Sequence, residues 1–183
     1  MTMGPRLRKL VLFAHIVSSV GWVGAVVAYL ALVGAALTSG DAQTVRGAFF
    51  AMEVTFVALV PLALVALLTG VVQSLGTTWG LFRHYWVLFK LFLTVLATVV
   101  LVLHIPTVTS LADIAASADA GGLPSGQGEL LHAGVGLLIL LAGTSLGVYK
   151  PRGMTRYGQR RRNRDRRAVP QSRKDEQRAV VVP

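Results

Sequence analysis

The sequence predicts an all-α integral membrane protein, a bundle of four transmembrane helices with both termini on the cytoplasmic side. Hydrophobic residues make up 54% of the 183-residue chain and charged residues only 14%, which is too apolar for a water-soluble domain of this size. The apolar residues gather in long uninterrupted runs. Because lipid cannot satisfy backbone polar groups, we expect each run to be a helix.

Four runs are long enough to cross a bilayer, whose hydrocarbon core of about 30 Å requires roughly 20 residues in a helix. The predicted spans are 10–37, 49–75, 86–104 and 130–149. The first follows basic residues, as in a secretory signal peptide, but its apolar run exceeds the roughly 7–15 residues typical of that segment. We therefore expect it to be retained, so that residues 1–149 form one four-span domain.

The flanking charges predict the orientation of this domain in the cell membrane. Lys and Arg precede the first span, and Arg83 lies in the second connection. More basic residues follow the fourth span, whereas the third connection (107–129) carries acidic residues and no Lys or Arg. The positive-inside rule then places both termini in the cytoplasm. The Gly, Ala and Ser content of 107–129 predicts a flexible external loop.

Residues 150–183 form a separate basic segment. They carry 12 Lys and Arg against 3 Asp and Glu, while residues 1–149 carry 6 against 5. This polar composition predicts a disordered cytoplasmic tail, and anionic lipid headgroups are its expected partner. We do not expect nucleic-acid binding, because Tyr157 is the only aromatic residue of the tail and no known nucleic-acid-binding fold accompanies it.

Small and helix-breaking residues inside the spans predict local features. Pro61 is expected to kink the second span, because it removes a helical hydrogen bond. Glycines of the first and fourth spans are expected to mark close helix packing: Gly21, Gly24, Gly134, Gly136, Gly143 and Gly147. Cysteine is absent, which excludes disulfides, thiolate metal sites and covalently attached haem.

Ionisable residues inside the spans are the candidate functional residues, because burying them in lipid is costly. His15 and Lys90 each lie roughly 7–10 Å inside the cytoplasmic boundary, on different helices, and could meet there. Glu53, His104 and His132 lie near the outer boundary on the second, third and fourth spans. The sequence thus predicts one polar cluster near each membrane surface.

Three chemistries fit these clusters. A b-type haem could be ligated by His15 or by the pair His104 and His132, beside the small residues Gly136 and Gly143. Alternatively, His104, His132 and Glu53 could bind copper or zinc, since imidazole and carboxylate are ligands of both. A proton relay through the same groups is the third use.

Two short motifs resemble known families. The pattern His-x6-Trp-x-Gly, here His15, Trp22 and Gly24, resembles the first helix of the copper-resistance D (CopD) family and of the HemJ-type membrane protoporphyrinogen oxidases. The segment "HYWVLFKLFLTVLATVVLVLH" (84–104) is similar to the helix of those families that carries a Lys and ends in His. The resemblance implies a helical membrane protein that binds b-type haem. It implies that His15 is an axial ligand, that Lys90 supports cofactor or substrate carboxylates, and that His104 matches the terminal His.

Three functions therefore remain open at this stage. The first is a redox or haem-handling membrane protein, and the second is a non-enzymatic scaffold or accessory subunit that binds no cofactor. The third is a metal or proton transporter, which is more plausible for a homo-oligomer than for four spans alone. Because no catalytic triad, phosphate-binding loop or nucleotide-binding motif is present, no catalytic residue is assigned.

Overall fold

In its described residues, the chain forms four long helices and a short fifth one. This computed structural model describes residues 3–76, 82, 84–149, 151 and 153–167. The helices are α1 (Pro5–Thr38), α2 (Ala42–Gly76), α3 (Tyr85–Ser117), α4 (Gln127–Tyr149) and α5 (Arg156–Arg167), with a 3-10 turn at Ala120–Gly122. Helices α1 to α4 are long and apolar enough to cross a membrane. The predicted all-α membrane bundle is confirmed.

The four long helices form a ring. α1 packs against α2 and α4, and α3 packs against the same two helices. The start of α1 meets the end of α2, where the backbone N–H of Met3 donates to Gly76 O at 3.5 Å. Across the bundle, a Cβ at Gly126 would lie 3.5 Å from Leu37 at the end of α1. The N-terminal end of the bundle is the end where α1 begins and α4 ends. The opposite end carries the α3–α4 connection.

The core lies mainly between α1 and α2. Its α1 side chains recur at helical spacing, at Trp22, Val26, Tyr29 and Val33. The outer surface is also apolar, and Leu103 of α3, for example, is 73% exposed. Apolar side chains that face outward suit a hydrocarbon solvent, in which only the seams between helices need to be covered.

Each predicted span lies inside one of the observed helices, but the helices are longer. α1, α2 and α3 contain 34, 35 and 33 residues, which is about 50 Å each at 1.5 Å per residue. This exceeds a hydrocarbon core of about 30 Å, so the helices extend beyond it or tilt within it. Pro61 lies inside α2, which continues beyond it to Gly76.

The largest difference from the sequence-based prediction concerns the third connection. The predicted loop over 107–129 is wrong for its first half, because α3 continues through Pro106 to Ser117. Val108, Ala112 and Ala115 of this extension are buried. Their spacing of four and three residues gives the extension one inward face. Small side chains that resemble loop composition therefore belong to a packed helix.

A side chain of α2 holds the end of this extension. Arg46 donates from Nε to Ala115 O at 3.2 Å and from Nη2 to Ala118 O at 2.7 Å. The last carbonyls of a helix have no partners within the helix, so a guanidinium that binds two of them stabilises the end. Arg46, the one basic residue of the first connection, thus has a structural role.

The basic tail also differs from its prediction. We expected residues 150–183 to be disordered, whereas Arg156–Arg167 form α5. The β-bridge between Met154 and His84 joins the segment before α5 to the start of α3. The remainder of the predicted tail, 168–183, lies outside the described residues.

The prediction that glycines of the first and fourth spans mark close helix packing holds at some positions only. A Cβ at Gly21 would lie 3.3 Å from the Leu62 side chain, as expected for close packing. At Gly24, Gly134, Gly136 and Gly143 a Cβ would meet no atom of the described structure within 4 Å. The predicted close packing is wrong at these four positions.

Candidate functional site

A cavity of about 710 Å³ opens between the four long helices in the half of the bundle nearest the N-terminal end. Each helix contributes to its wall, with His15 from α1, Gly70 from α2, Lys90 from α3 and Gly143 from α4. Its volume lies within the range of about 300–1,000 Å³ typical of small-molecule and cofactor sites. His15 and Lys90, which the sequence places near this end on different helices, both line this cavity.

The hydrogen bonds of the His15 ring to described residues are all made by Nδ1. Its Nδ1 lies 3.0 Å from Ala66 O and 3.1 Å from Thr69 Oγ1. A carbonyl oxygen only accepts hydrogen bonds, so Nδ1 carries the proton and donates. In neutral His15 the lone pair is then on Nε2, which makes no hydrogen bond to any described residue.

A glycine on α2 allows this ring position. A Cβ at Gly70 would lie 3.2 Å from Cε1 and 3.6 Å from Nδ1 of His15. Any larger residue would press on the imidazole, so Gly70 and the acceptors at 66 and 69 fix the ring together. All three positions lie within about one and a half turns of α2.

Lys90 of α3, on the other side of the bundle, also lies against a glycine. Its Nζ lies 3.2 Å from the position that a Cβ at Gly147 would take. Within the described part of the chain, the Lys90 ammonium has no acidic partner. The remaining wall is mostly apolar and aromatic, including Trp22 and Trp86, and no described Asp or Glu lines it.

A second polar cluster lies toward the opposite end. Glu129, in the first turn of α4, is only 3% exposed. Tyr29 of α1 donates its hydroxyl proton to Glu129 Oε2 at 2.6 Å. Nε2 of His104 on α3 lies 3.0 Å from both carboxylate oxygens. One carboxylate thereby joins three helices through hydrogen bonds.

The two outer histidines also meet. The rings of His104 and His132 stack with their centroids 3.7 Å apart and an angle of 9° between their planes. Phe56 of α2 completes the aromatic surroundings, with its centroid 6.0 Å from those of both Tyr29 and His104. Stacked rings direct their nitrogens in parallel planes, which is unlike two axial ligands that face each other across an iron atom.

Glu53 does not join this cluster. It makes no hydrogen bond or ion pair to His104, to His132 or to any other described residue. Glu129 is the carboxylate that joins His104 in this cluster, where Glu53 was predicted. Within the described residues, no group of three His, Asp or Glu side chains has an arrangement that could hold a metal ion.

The two pairs of basic residues could therefore be predicted from the sequence, whereas their supporting groups were not. Glu129 and His132 are three residues apart, which places them on one face of α4, and this spacing was the available signal. The roles of Gly70 and Thr69 could not be found in this way, because they depend on how α2 is rotated against α1. Gly136, expected beside a cofactor, does not line the cavity, whereas Gly143 does.

Comparison with known proteins adds no family assignment. No protein-family model matches the chain, and neither the curated proteins nor the solved structures contain a significant match.

Proposed function

We propose that this integral membrane protein binds a b-type haem in the cavity at the N-terminal end, where Nε2 of His15 would ligate the iron. The observation that carries the proposal is the hydrogen bonding of His15. A ligating imidazole usually donates its second ring N–H to a carbonyl or carboxylate, which fixes the tautomer and the orientation of the ring. His15 has this arrangement, with Nδ1 bonded to Ala66 O at 3.0 Å and Nε2 left available.

The cavity supports the same proposal. Its walls combine mainly apolar and aromatic side chains with a smaller set of polar ones, among them Arg8, Gln73 and Thr94, as expected for a cofactor site. Gly143 reduces the bulk of the α4 wall, because a Cβ there would meet no described atom within 4 Å, which favours a flat ligand. The CopD-like and HemJ-like motif residues His15 and Trp22 both line this cavity, and so does Lys90.

Haem bound to a histidine supplies one-electron chemistry, and its potential depends on the ligand, its hydrogen bonds and the burial of the site. In this chain, Ala66 and Thr69 orient His15 through Nδ1. Trp22 contributes an apolar surface to the same cavity. Lys90 contributes a positive charge and is a suitable partner for a porphyrin carboxylate.

Absorption spectroscopy tests the proposal directly. The full-length protein, purified in detergent from haem-supplied cells, is expected to show a Soret band that His15→Ala abolishes or strongly weakens. His132→Ala, a histidine variant at the opposite end, is the matched control and should keep the band. Colourless wild-type protein with a helical circular-dichroism spectrum would contradict haem binding, and an unchanged band in His15→Ala would exclude His15 as the ligand.

A second function is favoured by the outer cluster. Buried polar groups that join helices act as packing contacts in membranes, and Glu129 joins α1, α3 and α4 in this way. A non-enzymatic scaffold would need such contacts and no cofactor. Under this alternative, both histidine variants change only the stability of the bundle, and neither changes its spectrum.

A further inference from the structure

The segment that links α4 to α5 is fixed to the bundle. Thr155 is 8% exposed, and its hydroxyl donates to Phe82 O in the α2–α3 connection. The same oxygen accepts a hydrogen bond from the backbone N–H of Gly158 at 3.1 Å, in the first turn of α5. Thr155 therefore caps α5 and also attaches it to the α2–α3 connection.

This anchor determines where α5 begins relative to the membrane. Met154 forms a β-bridge with His84, the residue that immediately precedes α3. Exposed aromatic residues follow in the first turns of α3, at Tyr85, Phe89 and Phe92. Among these, Tyr85 is of the kind typical of the boundary between hydrocarbon and headgroups, because its ring carries a polar hydroxyl. The start of α5 thus lies at the level of that boundary, at the N-terminal end.

An open groove of about 580 Å³ lies beside this anchor. Its wall is apolar and aromatic and comes from α3, α4 and the segment before α5. Among its lining residues are Phe89, Phe92, Leu146, Pro151 and Gly153. It is termed the interfacial groove below.

Positive charge follows the groove residues along the chain. α5 contains seven arginines and one aspartate. Arg156 and Arg160 are both exposed, and their spacing of four residues places them on one face of the helix. Arg156 follows the groove residue Gly153 by three positions. An apolar groove beside cationic side chains, at the headgroup level, complements a molecule with an acyl chain and a phosphate.

We propose that the interfacial groove and α5 together bind an anionic phospholipid of the surrounding bilayer. Its acyl chain lies against Phe89, Phe92 and Leu146, and its phosphate pairs with Arg156 and Arg160. Tyr157, which is exposed between them, anchors α5 among the headgroups. This lipid is the favoured partner over a nucleic acid, because the aromatic groove faces the membrane and α5 offers a single aromatic ring for base stacking.

Native mass spectrometry of the detergent-solubilised full chain tests this site. The probes are phosphatidylglycerol and phosphatidylcholine with identical acyl chains, so that only the headgroup charge differs. The wild type is expected to retain phosphatidylglycerol preferentially. Replacing Arg156 and Arg160 together by Gln should reduce that retention roughly 30-fold, or about 5-fold for each arginine near the surface. Phosphatidylcholine binding should change little.

Two further variants separate this site from general electrostatic attraction. Arg173→Gln with Lys174→Gln removes the same charge from the segment beyond α5 and should keep the preference for phosphatidylglycerol. Leu146→Trp fills the groove and should reduce the retention of both lipids. Equal losses in the two charge variants would overturn the proposal, and so would an unchanged preference in the Arg156 and Arg160 variant. Displacement of the lipid by a short single-stranded RNA would assign α5 to nucleic acid instead.

Discussion

The imidazole of His132 lies flat against that of His104, with 3.7 Å between the ring centroids, while Glu129, three residues earlier on α4, binds the edge of the same His104 ring at 3.0 Å. α4 therefore holds one side chain of α3 by both its face and its edge. Few other α4 residues are buried, namely Ala133 and Gly143. This contact is consequently the main polar attachment of α4 to the rest of the bundle.

Removing the Glu129 carboxylate should destabilise the bundle. Glu129→Ala leaves the Tyr29 hydroxyl and His104 Nε2 without their acceptor, and we expect a loss of about 1–2 kcal/mol in the free energy of unfolding. Glu129→Gln keeps one acceptor oxygen and should lose less. Unfolding in mixed micelles measures both changes. A double-mutant cycle with Tyr29→Phe should give a coupling energy of about 0.5–2 kcal/mol, and strict additivity would contradict the hydrogen bond.

The stacked ring of His132 should also contribute to stability. His132→Ala is expected to cost about 0.5–1.5 kcal/mol, as for other aromatic pairs. His132→Phe keeps a planar ring against His104 and should recover most of that loss in the same unfolding assay. If His132→Phe is as unstable as His132→Ala, the contact depends on a polar group of His132 and not on stacking.

The hydroxyl of Thr69 should affect the affinity of His15 for haem without contacting the haem itself. Thr69→Val removes an oxygen 3.1 Å from Nδ1, and loss of such an orienting partner typically lowers affinity about 10- to 100-fold. Haem titration followed by the Soret band measures the change. Thr55→Val, whose hydroxyl bonds only to Ala51 O within α2, is the matched control and should bind haem as the wild type does.

Enlarging Gly70 should displace the imidazole of His15 through a steric clash. A Cβ at Gly70 would lie 3.2 Å from His15 Cε1, so Gly70→Ala obliges the imidazole to shift. We expect weaker haem binding and a shifted Soret maximum. Gly24→Ala is the control, because a Cβ there meets no described atom within 4 Å. Equal effects of the two substitutions would indicate a loss of helix flexibility and not a contact with His15.

The start of α2 should be sensitive to acid. Asp41 Oδ2 accepts hydrogen bonds from the hydroxyl and the backbone N–H of Thr44 at 2.7 and 2.9 Å. These bonds, the hydroxyl first, hold the pKa of Asp41 below its ordinary value of 3.8. Because the pKa is lowered on folding, the stabilisation is complete above pH 3.8 and is lost as the pH falls through the folded-state pKa.

An NMR titration of the Thr44 amide checks this expectation. Its resonance should shift with a midpoint below pH 3.8. Asp41→Asn keeps a capping oxygen but cannot titrate, so the shift should disappear while α2 still begins at the same residue. A midpoint above the ordinary value would contradict the cap.

The class of protein, the four spans and the placement of both bundle termini at one end could be predicted from the amino-acid sequence alone. These properties follow from hydropathy and from the number of spans, which are read locally along the chain. The sequence also placed His15 with Lys90 and His104 with His132, because depth in the membrane can be counted from the ends of each span.

The groups that complete each cluster depend on how the four helices pack together. The spans are apolar on all sides, so their composition does not specify how each helix is rotated about its axis. That rotation excludes Glu53 and selects Glu129, and it brings Gly70 and Thr69 against His15. The end of the α3 extension likewise receives hydrogen bonds from Arg46 of another helix. Contacts between distant segments are set by the joint packing of four helices, and no single segment of the sequence encodes them.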